Sequence, residues 1–185
     1  MSVTTIPTAG IADTAISTAK IADDAVTSAK TESGLITMVD KYRLTTDFTG
    51  DANPLTANVE RVDTSGQGFI GSAMSISSGV YTFPSTGIYL VDFNISQSYD
   101  SSAWYGSYNI LIGSTTVSQG DVSMTQAGNA ATWYHSGNIS TLVDVTDTSS
   151  QTVKFTIDSY NASVTTRGNT NVDLTYMTFI RLGDT

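Results

Sequence analysis

The chain has 185 residues, enough for one domain with its own core plus an appendage. It contains no cysteine, which excludes disulfides and thiolate metal sites. Seventeen acidic against eight basic residues give a formal charge of -9, so a phosphate backbone is repelled over most of the surface and nucleic acid is not an expected partner. Only 14% of residues are charged, against about 25% in an average globular chain, and the polar surface must come mainly from Ser, Thr, Asn and Gly. No run of ~18 apolar residues is present, so membrane insertion is not expected. The opening SVTTIPTAG has neither the basic start nor the continuous apolar run of a secretory signal.

Two decads come first, TAGIADTAIS (Thr8 to Ser17) and TAKIADDAVT (Thr18 to Thr27). Ile11, Ile16, Ile21 and Val26 fall five residues apart, and Thr31 breaks the row. A step of five turns about 140° on an α-helix and alternates faces on a strand. Neither regular element therefore gathers these side chains into one stripe. A segmented, extended stalk does, if each branched side chain points to an axis shared with other copies, as collagen does at a period of three. The competing expectation is a disordered or transiently helical leader, because Ala12, Ala15, Ile16 and Ala19 also fit i, i+3, i+4, i+7. Leu35, Met38, Val39 and Tyr42 have helical spacing, which predicts a short helix or turn leading into the next region.

Beyond about Tyr42 the pattern is that of strands. TGDANP (Thr49 to Pro54) reads as a turn cluster. Val80 to Gln97, VYTFPSTGIYLVDFNISQ, divides at Pro84-Ser85-Thr86-Gly87 into two extended runs. In the second, Tyr89, Val91, Phe93 and Ile95 face one way, with Asp92 and Asn94 opposite. YNILIG (Tyr108 to Gly113), ISTLVDV (Ile139 to Val145) and TVKFTIDSY (Thr152 to Tyr160) follow similar alternation. The final run, Val172 to Leu182, is apolar on both faces: Tyr176 and Ile180 oppose Met177 and Phe179. Such a strand lies centrally in its sheet or at a subunit interface, so Tyr89, Phe93, Tyr176 and Phe179 are expected in the head's core or interface. The expected fold class is all-β, an antiparallel β-sandwich.

GVYTFPSTGIYLVDFNI resembles the central signature of the complement component 1q and tumour-necrosis-factor jelly-roll superfamily, where an aromatic-X-X-Pro-X-X-Gly-X-Tyr segment joins two strands. TYMTFIRLG resembles that family's last strand, and YNILIGSTTV its middle hairpin. The likeness covers about Tyr42 to Gly183. Asp144 to Ser150 stands where the family has a Gly-Asp turn, and no Gly-X-Y stalk precedes the head. The decads, followed by YRLTTDFTGDANP, NVERVDTSGQG and SSGVYTFPSTGIYLV, resemble fibre and appendage proteins of marine tailed bacteriophages. This resemblance implies a homotrimer, with residues 1–10 an anchor to other virion proteins, 11–41 a stalk and linker around the axis of Ile11, Ile16, Ile21 and Val26, and 42–185 the head. It implies a virion location, on tail or capsid, and a tail fibre that engages a host-surface glycan or protein. A capsid fibre or decoration protein is the alternative within the same class.

Catalysis is not expected. His135 is the sole histidine, and no G-x-S-x-G elbow accompanies it. A depolymerase would need paired carboxylates, and nothing in the spacing singles out Asp121, Asp144, Asp147 or Asp158. Asp144 with Asp147, or Asp23 with Asp24, offer some oxygen ligands for calcium but no recognised loop, so no cofactor or metal residue is assigned. In the phage protein that this resemblance implies, the Asn94, Asn138 and Asn161 glycosylation patterns would be accidents of composition. SYDSSAWYGSY and TWYHSG place Trp104, Tyr105, Trp133 and Tyr134 beside small polar residues, the composition of a paratope. Together with His135 they are the candidate receptor contacts, unless the tryptophans fill the core or a trimer interface.

Overall fold

The structure, a computed structural model, describes residues 36–99, 104–124, 132–159 and 162–185. The expected anchor, the decads and the expected stalk residues Ile11, Ile16, Ile21 and Val26 lie outside the described residues. All twelve elements found among the described residues are strands. In chain order they are β1 (Met38–Leu44), β2 (Phe48–Thr49), β3 (Val59–Arg61), β4 (Ser75–Ser77), β5 (Val80–Thr82) and β6 (Gly87–Tyr99), then β7 (Trp104–Ile112), β8 (Thr115–Met124), β9 (Trp133–Val145), β10 (Val153–Ser159), β11 (Thr165–Thr166) and β12 (Tyr176–Gly183).

They form two antiparallel sheets. One runs β2-β11-β6-β12-β1-β3, with β9 on the other side of β6; the other runs β4-β5-β10-β7-β8. This is a jelly-roll sandwich, and the final strand is central, paired with β6 on one side and β1 on the other. The helical spacing of Leu35, Met38, Val39 and Tyr42 does not produce a helix. Met38–Leu44 is a strand whose Met38, Asp40 and Tyr42 face inward, because pairing with β12 and β3 satisfies its backbone and overrides a weak local preference.

The core forms between the sheets from alternate residues. Tyr89, Phe93 and Phe179 are fully buried, joined by Tyr81, Ile110, Phe155, Ile157 and Met177. The ring centroids of Tyr81 and Phe155 lie 5.4 Å apart in an edge-to-face arrangement, and those of Phe93 and Phe155 5.0 Å apart. Each such pair contributes about 0.5–1.5 kcal/mol beyond area burial. Tyr42 donates its hydroxyl to Met74 O at 2.7 Å, and burial raises its pKa. Tyr176, expected in the core or at an interface, faces outward, half-buried, with the Lys41 ammonium 4.0 Å from its ring centroid.

The Pro-X-X-Gly-X-Tyr segment has a local explanation. Gly87 has φ 142°, and a β-carbon there would lie 2.6 Å from both Arg181 Nε and Gly183 O. Only glycine lets β6 begin against the end of β12. Two positions on, Tyr89 donates its hydroxyl to Ser85 O at 2.9 Å, fixing the turn to the strand.

Two salt-bridge groups lock β1. Arg43, with no exposed side-chain surface, donates to Glu60 at 2.9 Å, Thr64 at 2.8 Å, Gln67 at 3.2 Å, Asp63 at 3.3 Å and Asp173 at 3.4 Å. Asp40, buried on the opposite face, accepts from Arg61 Nε at 2.6 Å and from Met74 N at 2.8 Å. The Arg61 guanidinium in turn lies 3.5 Å from the centroid of the Phe69 ring.

Candidate functional site

The expected receptor contacts gather at one end of the sandwich, where β6 ends and β7 and β9 begin, but they do not share one face. Strand alternation separates them. Trp133 and His135 lie opposite Tyr99 and Gln97 of β6, on the interior-facing side of β9 at the mouth between the sheets. Tyr134 points the other way, 66% exposed, and the Arg167 guanidinium lies 4.8 Å from its ring centroid. Arg167 is held by its backbone N–H to Ser96 O at 2.8 Å. Tyr105 projects from the outer face of the second sheet, where its hydroxyl donates to Asp121 Oδ1 at 3.4 Å. The side chain of Trp104 lies outside the described residues, although its backbone opens β7.

Trp133 is 42% exposed, so it does not fill the core. Its neighbour Thr132 lines a cavity of about 70 Å³ with Ser98, Tyr99, Ser163 and Thr165. An exposed indole beside hydroxyl groups offers a stacking face next to hydrogen-bonding groups. Burial pushes the His135 imidazole below its ordinary pKa, so at neutral pH it is an uncharged donor and acceptor. Its strand partner Gln97 is buried and donates to Thr166 Oγ1 at 3.2 Å. Among the described residues, no group of three or more His, Asp or Glu is placed to hold a metal ion. Nor is there among them a helix long and apolar enough to cross a membrane.

Beneath the mouth, Tyr108 crosses from the second sheet to β9. A β-carbon at Gly120 would lie 2.8 Å from Tyr108 Cε1, and one at Gly137 2.8 Å from Tyr108 Cζ, with closer overlaps on the same ring and hydroxyl. The two glycines form a slot for this phenol. Burial, reinforced by the Asp121 charge, raises its pKa.

A second surface was not singled out by the sequence. On the outer face of the β6 sheet, Leu142 pairs with Leu90, Leu90 with Ile180, Ile180 with Val39, and Val39 with Ile70. Five apolar side chains thus form one row across four strands and the loop beside them. Leu142 is 66% and Ile70 50% exposed, with Leu90, Ile180 and Val39 half-buried. The adjacent row, Ser140, Asp92, Thr178 and Lys41, is polar. The available signal was Leu90: it is apolar on the polar phase of β6, where Asp92 and Asn94 sit, as Ile180 is on β12.

No protein-family model matches the chain, and no curated protein matches it. Solved structures do. Eiger, a tumour-necrosis factor of S. frugiperda, is 10% identical over 82% of this chain and 96% of that chain, with a TM-score of 0.56. Murine APRIL, at pH 5.0, is 12% identical over 78% of this chain and 98% of that chain, with a TM-score of 0.50. The PRD1 vertex protein P5 aligns more loosely, 14% identical over 80% and 99% of the two chains, with a TM-score of 0.47. At such identities the first two likenesses speak for fold alone, and the fold is a tumour-necrosis-factor-like jelly-roll β-sandwich.

Proposed function

We propose that this chain is a non-enzymatic virion structural protein: a trimeric bacteriophage tail fibre whose jelly-roll head recognises the host surface. The observation that carries this reading is the apolar row from Leu142 to Ile70. It crosses the outer face of a sheet whose next row is polar, so its apolar atoms reach dry surroundings only against another molecule. A threefold assembly brings the same face of three copies together. It also explains why Ile11, Ile16, Ile21 and Val26 recur every five residues, since three tethered chains meet at high effective concentration. The resemblance of the decads and the segments after them to phage fibres supports a virion location, with residues 1–10 as the attachment to other virion proteins. Trp133, Tyr134, His135 and Tyr105, gathered at one end of the sandwich, are then candidate contacts for a host glycan or protein.

The test is localisation. Purified particles are labelled with gold-conjugated antibody raised against the head. Label at tail tips is the expected result, and label spread over the capsid replaces the tail fibre with a capsid fibre. Particles without the protein overturn the virion reading altogether.

A further inference from the structure

Acidic residues outnumber basic ones seventeen to eight in this chain, and most of its cations are taken up by carboxylates. Lys41, Arg43, Arg61 and Arg181 each form an ion pair with an aspartate or glutamate. Among the described residues Lys154 and Arg167 form none, and of these two only Arg167 lies over an aromatic ring, 4.8 Å from the centroid of Tyr134. Its Nη1 donates to Ser96 Oγ at 3.4 Å, a long hydrogen bond. The carboxylate of Asp47, close by in the fold, is turned to the Gly168 N–H, which it accepts at 2.8 Å. A contact to a ring consumes none of the five N–H donors of a guanidinium, so Arg167 keeps most of its donors for another molecule.

Register places hydroxyl side chains beside it. Ser98 of β6 is paired with Thr165 on one side and with Tyr134 on the other. Gln97 and Thr166 turn inward, buried and bonded to each other, so alternation puts Ser96, Ser98, Thr165 and Arg167 on the outer face with Tyr134. Ser98, Thr165 and Thr132 line the cavity of about 70 Å³, and no described residue lining it is acidic. From Thr165 to Arg167 is about 7 Å along the extended chain, the reach of one sugar ring with its carboxylate. We propose that this end of the sheet binds a uronic-acid residue of a polysaccharide. Its carboxylate meets the Arg167 guanidinium, whose fork of donors matches two planar oxygens. Its hydroxyls meet Ser98, Thr132 and Thr165, and its C–H face lies on the open side of the Tyr134 ring. A sulfate ester carries its charge one atom further from the ring, and an acidic peptide brings no hydroxyls to the lined cavity. The sugar deepens the proposed function and rests on it for the host as its source.

The net charge of -9 opposes an anion at long range, but at about 0.15 M salt charges more than ~8 Å away are largely screened and the contact with Arg167 is not. A shallow site of this kind holds a monosaccharide at a Kd of about 1 mM, and repeated sites on one assembly raise the avidity for a polymer. The experiment titrates the full chain with methyl glucuronide, methyl glucoside and methyl glucoside 6-sulfate at about 0.15 M salt, followed by two-dimensional NMR. The glucuronide shifts the signals of Arg167, Ser98 and Tyr134, while the sulfate binds more weakly and the glucoside leaves them in place. Arg167→Ala weakens the glucuronide about tenfold to a hundredfold, Arg167→Lys recovers part of the loss, and signals elsewhere in the spectrum stay put in both. Equal binding of the glucoside, tighter binding of the sulfate, or an unchanged affinity in Arg167→Ala overturns the proposal, as does a spectrum that ignores the glucuronide. Neither phage nor host enters this measurement. A negative result therefore strikes the sugar and leaves the virion reading, whereas particles without the protein strike that reading and leave the sugar.

Discussion

Replacing Leu142 with aspartate tests the apolar row where it is most open. Full burial of a leucine side chain contributes about 1.5–3 kcal/mol. Leu142 is 66% exposed in the single chain, so about two thirds of that, roughly 1–2 kcal/mol, remains to be gained on assembly. Three copies bring the total to about 3–6 kcal/mol per trimer, and at 1.4 kcal/mol per factor of ten the trimer constant falls by about 10²–10⁴. These are lower bounds, since the introduced carboxylate must also be desolvated. Leu142 contributes little to the chain's own fold, so Leu142→Asp stays folded by circular dichroism. The assay is sedimentation velocity from tens of micromolar down to nanomolar, comparing the full-length wild type, Leu142→Ala and Leu142→Asp. The expected order of dissociation on dilution is Asp first, then Ala, then wild type. A wild type that is monomeric at tens of micromolar, or an Asp variant that dissociates where the wild type does, refutes the reasoning.

Other substitutions probe other parts of the fold. Gly137→Ala forces a methyl into the Tyr108 slot and costs about 1–3 kcal/mol in urea unfolding; in a Tyr108→Leu background the same change costs much less, and equal costs in both would refute the slot. Arg43→Met leaves Glu60, Asp63 and Asp173 without their shared buried cation and lowers stability by about 3–5 kcal/mol in urea unfolding, whereas a loss below ~1 kcal/mol would show that the group acts as a surface ion pair. Hydrogen bonds from the Ser149 and Ser150 hydroxyls and the Ser149 N–H hold Asp147 at a pKa of about 2, below the 3.8 of a free aspartate. Its contribution to stability is therefore complete above pH 3.8 and is lost as pH falls through about 2; Asp147→Asn flattens the acid limb of the stability profile in that window, and an unchanged limb refutes the assignment. Trp133→Ala and Tyr134→Ala weaken attachment of labelled protein to host cells while leaving sedimentation unchanged, and unaltered attachment in the double variant removes this end of the head from recognition.

The strands were legible wherever one side faced the core. Tyr89, Val91, Phe93 and Ile95 alternate with less buried residues, and the break at Pro84 to Gly87 falls where β5 ends and β6 begins. The final strand could be read as central because both of its faces are apolar. Met38–Leu44 was misread because four apolar residues at helical spacing also fit a strand, and only pairing with β12, more than 130 residues away, decides between them. Trp133, Tyr134 and His135 were visible as an aromatic cluster. Their division among faces was not, since it depends on the phase in which β9 meets β6. The outer row is the least legible feature: Leu142, Leu90, Ile180, Val39 and Ile70 are scattered along the chain, and register alone aligns them.

Strand β9 carries the aromatic cluster at its start and Leu142 nine residues later. At about 3.4 Å per residue the two are about 30 Å apart along one rigid rod. In the proposed fibre, what the head holds and what it is held by are thereby insulated from each other. Under the proposed function, Trp133 to His135 could be exchanged for other side chains as hosts alter their surfaces, with the contacts among copies left as they were.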